Sequence, residues 1–178
     1  HNLENVLAAV SCAYLYGIES EIIKEGVSKY TGTKHRLKLL YNIDGVKYYD
    51  DTQATTPEAT IAGIESFDGD VILLAGGDDK GMKYEKMVEK ISDKVKFLIL
   101  FPGDASEKIE ELIDENKIDF VKVENFQEAI KRLKKYYQKT DLAKGGTVLI
   151  SPGAAHFYSK FVESSEKSLK EWIRLIDG

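Results

Sequence analysis

"VILLAGGDDKG", residues 71–81, runs through apolar residues without a polar interruption and then stops at paired glycines. A strand with one wet face would alternate apolar and polar residues. An unbroken run of this length fits a strand covered on both faces, as in a parallel sheet. "VKFLILFP" (95–102) repeats the pattern, and "TVLISPG" (147–153) gives a shorter version of it. Between these runs lie segments of helical period at 57–66, 83–92, 104–116 and 126–138, with a further strand at "DFVKVE" (119–124) and a last helix at 157–176. Upstream, "LKLLYNIDGVKYYDD" (37–51) has two strand-forming stretches around Asp44-Gly45, a hairpin signal. Helices alternating with strands imply an α/β fold: a mostly parallel, doubly wound, Rossmann-like sheet of about six strands with a hairpin at one edge.

Two helices precede that sheet. "NLENVLAAVSCAYLY" (2–16) spaces Leu3, Val6, Leu7, Val10, Ala13 and Tyr14 at helical period and ends at Gly17. A second helix over about 19–29 carries Ile22, Ile23 and Val27, and "YTGTKHR" (30–36) follows as a loop. These helices have no strand to cover, so residues 1–36 are expected to be the tail of a preceding domain and 37–178 a second domain. The start at His1 fits a piece of a longer protein.

With 43% hydrophobic and 31% charged residues the chain has the composition of a globular protein with a buried core. A net charge of −5 argues against a basic surface for nucleic acid or anionic membrane, so positive charge for an anionic ligand must be placed locally. The single cysteine, Cys12, excludes an internal disulfide, fits a reducing cytoplasm and is expected to be a small buried apolar residue. No apolar run approaches the roughly 20 residues of a membrane span, and no signal peptide is evident.

Open α/β sheets bind ligands beyond the carboxyl ends of their strands, which selects residues 50–56, 75–81, 102–106 and 151–157. In "DDTQATT" (50–56), Thr55 with Glu58 has capping-box spacing, while Thr56 followed by Pro57 fits a capped helix with proline at its first position. Capping accounts for the threonines but not for Asp50 and Asp51, which suit orienting a ribose hydroxyl, a metal-bound water or a lysine. In "AGGDDKG" (75–81), Lys80 is the one cation; it is either a partner for a small carboxylate or a solvated lysine. Gly76 and Gly81 have P-loop spacing, but Met82-Lys83 follows, and Asp78 and Asp79 would repel a polyphosphate. His1, His35 and His156 have no metal-ligand spacing, and no nucleophile elbow is present, so no catalytic or metal-binding residue is assigned.

Five pieces in order, "HNLENVLAA" (1–9), "HR" (35–36), "YYDDTQATTPEAT" (48–60), "ILLAGGDDKG" (72–81) and "LISP" (149–152), resemble the C-terminal part of the Mur ligases. They are most similar to the branch that joins D-glutamate to UDP-N-acetylmuramoyl-L-alanine in peptidoglycan precursor synthesis. The resemblance implies a cytoplasmic, ATP-dependent enzyme that phosphorylates a carboxylate and lets an amine attack the acyl phosphate. It implies adenine contact by Asn5, phosphate contact by Arg36, and ribose or nearby nucleotide contact by Asp51. Lys80, helped by Thr55, would meet a carboxylate of D-glutamate, and His156 and Phe157 fall in a segment that contacts the same amino acid. Magnesium would accompany ATP, bound mainly by a central domain outside this sequence.

The chain departs from the family pattern at Gln53 (commonly lysine), at Thr56 (asparagine) and at His156 (serine), and it lacks the closing Arg-Gly. It also lacks a P-loop, so alone it is expected to be inactive. Two other readings are a Mur or folylpolyglutamate-type ligase using a different amino acid, and a free-standing Rossmann-like binding module.

Overall fold

A computed structural model describes residues 2–114, 116–140, 146–162 and 171. It divides into two compact units, His1–Thr33 and Lys34–Gly178, so His35 and Arg36 belong with the sheet.

In the first unit α1 (Asn2–Leu15) and α2 (Ser20–Lys29) form a helical pair. Gly17, at φ 89°, ends α1 in a Schellman arrangement, with Gly17 N donating to Tyr14 O and Ile18 N to Ala13 O. Val6, Val10, Ala13 and Ile23 are half-buried and line the groove between the helices. Leu3, Leu7 and Tyr14, expected on the same face, are 69%, 55% and 66% exposed, because a pair of helices has only one seam. Cys12 is also exposed rather than buried. It falls about 100° per residue around the helix from Ala13, off that seam.

The second unit opens with the hairpin β1 (Lys38–Ile43) and β2 (Val46–Asp50), then alternates α3 (Pro57–Glu65), β3 (Val71–Gly76), α4 (Glu85–Lys94), β4 (Val95–Phe101), α5 (Asp104–Leu112), β5 (Asp119–Lys122), α6 (Phe126–Tyr137) and β6 (Thr147–Ile150). Asp44 and Gly45 both have positive φ, 51° and 86°, which gives the hairpin turn the twist its strands need. The sheet has six strands in the order β1-β2-β6-β3-β4-β5, with only the β1–β2 pair antiparallel.

The apolar runs are continuous because the sheet has two covered faces. Ile72, Leu74, Phe97, Ile99, Val148 and Ile150 point to one face, where Phe126, Ala129 and Leu133 of α6 cover them. Val71, Leu73, Ala75, Leu98, Leu100 and Leu149 point to the other, beneath residues of α3, α4 and α5. α6 presents Phe126, Ala129, Ile130 and Leu133 to the core at the i, i+3, i+4, i+7 spacing. Asn125 caps it by accepting from Glu128 N at 3.0 Å.

Some element ends differ from the sequence expectation. α5 stops at Leu112 instead of 116, since Ile113 is extended and Asp114 accepts from Asn116 N at 3.1 Å, a local turn that competes with the helix. β6 ends at Ile150, after which Ser151 and Gly153 spend their N–H groups on neighbouring strand ends. Of the helix expected over 157–176, the described residues are helical: Phe157 and Glu171 are α-helical and Tyr158–Val162 form a π-helical turn. Residues 163–170 and 172–178 lie outside the described residues.

The turn after β4 is fixed by backbone contact. Gly103 has φ 145°, and a Cβ there would lie 1.9 Å from Gly77 O. Gly103→Ala is therefore expected to lower stability by several kcal/mol, through both strain and clash. Chemical denaturation measures this; a change below about 0.5 kcal/mol would mean that the β3 and β4 loops separate freely.

Candidate functional site

Three strand ends converge where the chain changes sides. α3 after β2 and α4 after β3 lie on one face of the sheet, whereas Phe157 and Phe161, following β6, pack against the opposite face. β6 lies between β2 and β3, so its carboxyl end is a topological switch point, where such folds open a crevice.

Hydrogen bonds lace the three loops together. Asp51 N donates to Ile150 O at 2.9 Å, and Gly153 N to Ala54 O at 2.9 Å. On the other side Gly76 N donates to Pro152 O at 3.0 Å. Asp78 and Ala155 exchange N–H···O bonds of 3.0 and 2.9 Å, an isolated antiparallel bridge.

On the β2 side, Thr56 proves to be the helix cap, its Oγ1 accepting from Ala59 N at 3.3 Å with Pro57 in the first turn. Thr55 is exposed, as is Gln53. Asp50 and Asp51 are both buried, at 3% and 6% exposure. Asp50 Oδ1 accepts from Thr52 N at 3.0 Å and from Thr52 Oγ1 at 2.8 Å, while Oδ2 lies 2.7 Å from His35 Nδ1. Asp51 Oδ1 accepts from Leu37 N at 3.1 Å, and Oδ2 from Ser151 Oγ at 2.8 Å. Ser151 Oγ lies 3.0 Å from Thr60 Oγ1, so the network continues into α3.

Burial pushes the Asp51 carboxyl up to about 6 from the ordinary 3.8, against the Ser151 and Leu37 hydrogen bonds that favour its charge. Asp50 pushes it up further, and Arg36 pulls it down. Arg36 itself is exposed and makes no hydrogen bond or ion pair among the described residues.

On the β3 side, Asp78 and Asp79, the acids expected to repel a polyphosphate, are each paired with a cation. Asp79 pairs with Lys108, accepts from Met82 N at 2.9 Å and from Tyr84 Oη at 3.2 Å, and is held below the usual carboxylate range chiefly by Lys108. Asp78 pairs with Lys160 and lies 3.0 Å from His156 Nδ1; Lys160 is the main cause of its lowered pKa. Both acids are thus engaged, whereas Lys80 is exposed and has no ion pair among the described residues. No spacing rule could reveal these partners, since Lys108 and Lys160 lie 29 and 82 residues from the acids they neutralise. Ser151 was equally hidden, 100 residues from Asp51.

The sequence-derived site residues divide accordingly. Arg36, Asp51 and Thr55 belong to the connector and β2 side, and Lys80 and His156 to the bridged loops after β3 and β6. Phe157, expected beside the amino acid, is 1% exposed. Its ring centroid lies 4.9 Å from Phe101 and 5.9 Å from Phe126, so the core has taken the side chain and no open face remains for a ligand. Asn5 is exposed on α1, in the other compact unit.

A family model described as Mur ligase, glutamate ligase domain, matches residues 35–153. The chain belongs to the Mur ligase family. It is similar to UDP-N-acetylmuramoylalanine--D-glutamate ligases from Caldanaerobacter subterraneus, with 37% identity over 97% of this chain and 38% of the relative. The Roseiflexus enzyme of the same name is 35% identical over 88% of this chain and 33% of its own. The chain therefore spans little more than a third of these relatives. Among solved structures, a MurF ligase from Thermotoga maritima in complex with ADP aligns at TM-score 0.66 and 22% identity, covering 95% of this chain and 38% of that one. A pseudomurein peptide ligase type C from Methanothermus fervidus aligns at TM-score 0.69 and 16% identity, covering 98% and 36%. At these identities the structural likeness concerns the fold of this Mur ligase chain.

The raised pKa of Asp51 has a definite sign. Its contribution to stability is fully present below the unfolded value near 3.8 and is lost as pH rises through about 6. Asp51→Asn is expected to be more stable than the parent above neutral pH, by about 1–3 kcal/mol, with the gap closing as pH falls toward 4. Unfolding free energies measured across that range check it; parallel pH profiles would exclude a buried, charge-strained Asp51.

Proposed function

We propose that this chain is the C-terminal, amino-acid-accepting part of an ATP-dependent ligase that joins D-glutamate to UDP-N-acetylmuramoyl-L-alanine in the cytoplasm, through an acyl phosphate. The helical pair, His1–Thr33, would be the last helices of its ATPase domain and Lys34–Gly178 the closing lobe. The observation that carries the reading is the β3 loop: its two acids are engaged by Lys108, Lys160 and His156, leaving Lys80 to meet an anion. The relatives' printed names support D-glutamate as that anion's source.

The residues present support specific steps. Lys80 would bind a carboxylate of the incoming amino acid, with Thr55, also exposed, as a hydroxyl partner. Holding the amine near the acyl phosphate converts a bimolecular attack into an intramolecular one. Arg36 would balance negative charge on the nucleotide phosphates as it shifts during transfer. Closure of this lobe on the rest of the enzyme would exclude water from the acyl phosphate. Among the described residues no group of three or more His, Cys, Asp or Glu gathers that could hold a metal ion. No step derived from these residues depends on it.

In the full-length enzyme, Lys80→Ala is expected to raise the amino-acid KM by about 10- to 100-fold, the cost of one charge-assisted contact, while the ATP KM stays within about twofold. Steady-state phosphate release measures both. An unaltered amino-acid KM would remove Lys80 from the site.

A further inference from the structure

The chain enters the second unit through His35-Arg36-Leu37, and its backbone there is unusual. His35 has φ 61° and Leu37 φ 43°, so two residues bearing Cβ atoms occupy the left-handed region on either side of Arg36. L-residues avoid that region unless neighbouring contacts impose it.

The contacts that impose it come from the acidic end of β2. His35 Nδ1 lies 2.7 Å from Asp50 Oδ2, and Leu37 N donates to Asp51 Oδ1 at 3.1 Å. His35 O accepts from Gln53 N at 3.0 Å. The carboxylates are themselves held, Asp50 by Thr52 and Asp51 by Ser151, so neither can swing away with the connector. Between the two clamped residues Arg36 extends exposed. An arginine on a loose loop would have to be ordered by its ligand, whereas a fixed backbone meets that entropy cost in advance.

We propose that Asp50 and Asp51 form a two-carboxylate clamp on His35 and Leu37 that aims Arg36, so that Asp50, acting through His35, is a positioning residue for the nucleotide. This inference rests on the reading of Arg36 as a nucleotide-phosphate contact. It also gives the adjacent acids a joint purpose that helix capping does not: each holds one side of the same arginine.

The test uses the full-length ligase with His35→Leu, His35→Asn and Arg36→Ala, reading ATP KM, amino-acid KM and thermal midpoint. His35→Leu removes the polar contact to Asp50 and is expected to raise the ATP KM by about tenfold, with the amino-acid KM within about twofold. His35→Asn tolerates a left-handed backbone and keeps a polar group near the Nδ1 position, so it should restore most of the ATP KM. Adding His35→Leu to Arg36→Ala should raise the ATP KM little further, because both changes disable the same contact. Should His35→Leu not fold, His35→Gly removes the imidazole without backbone strain and carries the same expectation. A parental ATP KM in His35→Leu beside a raised one in Arg36→Ala would overturn the clamp while leaving Arg36 in the site. Fully additive effects in the double variant would overturn it too. An Arg36→Ala enzyme with parental ATP KM would instead remove the underlying reading, and the clamp with it.

Discussion

The parallel pairing of β6 between β2 and β3 is the constraint on which the rest of the molecule depends. β6 is the last strand among the described residues but occupies an interior position in the sheet. Its Thr147–Ile150 backbone pairs with Lys47–Asp50 on one side and Val71–Leu74 on the other. Without it the β1–β2 hairpin has no partner in the parallel sheet. Because the chain leaves β6 toward the face opposite α3 and α4, the same insertion creates the switch point and delivers Ser151 to Asp51 and Ala155 to Asp78. Fold and site are thus consequences of one strand's position.

The site that results separates charge by location. Beside the connector, two buried acids are held by backbone and hydroxyl donors. Across β6, two more acids are matched by lysines and a histidine, while Lys80 is exposed with no ion pair among the described residues. In a chain with net charge −5, the positive groups of this region are placed locally, at Arg36, Lys80, Lys108 and Lys160. His156 lies against Asp78, and Phe157 packs in the aromatic core.

Much of this was legible in the sequence wherever the signal is local. The run "VILLA" announced a strand covered on both sides, and Leu73 and Leu74 do enter opposite cores. Asp44-Gly45 marked the hairpin, and Thr56-Pro57 resolved in favour of Thr56 as the cap. The misses are of two kinds. Some arise from local competition, as when Asp114 ends α5 early. The others depend on long-range contact: Cys12 misses the seam of its helical pair, Phe157 is drawn into the core, and Lys108 and Lys160 reach their acids across the tertiary fold. Burial likewise makes Asp51, which helix capping does not explain, a member of an interior hydrogen-bond network.

The central claim is that the crevice at the end of β6 receives the amino acid in a Mur ligase reaction. The most direct measurement is phosphate release by the full-length enzyme with ATP and UDP-N-acetylmuramoyl-L-alanine across a panel of amino acids. The account predicts strong stimulation by D-glutamate and little by L-glutamate or neutral amino acids. Phosphate release that ignores D-glutamate, or that responds to another amino acid in its place, would contradict it.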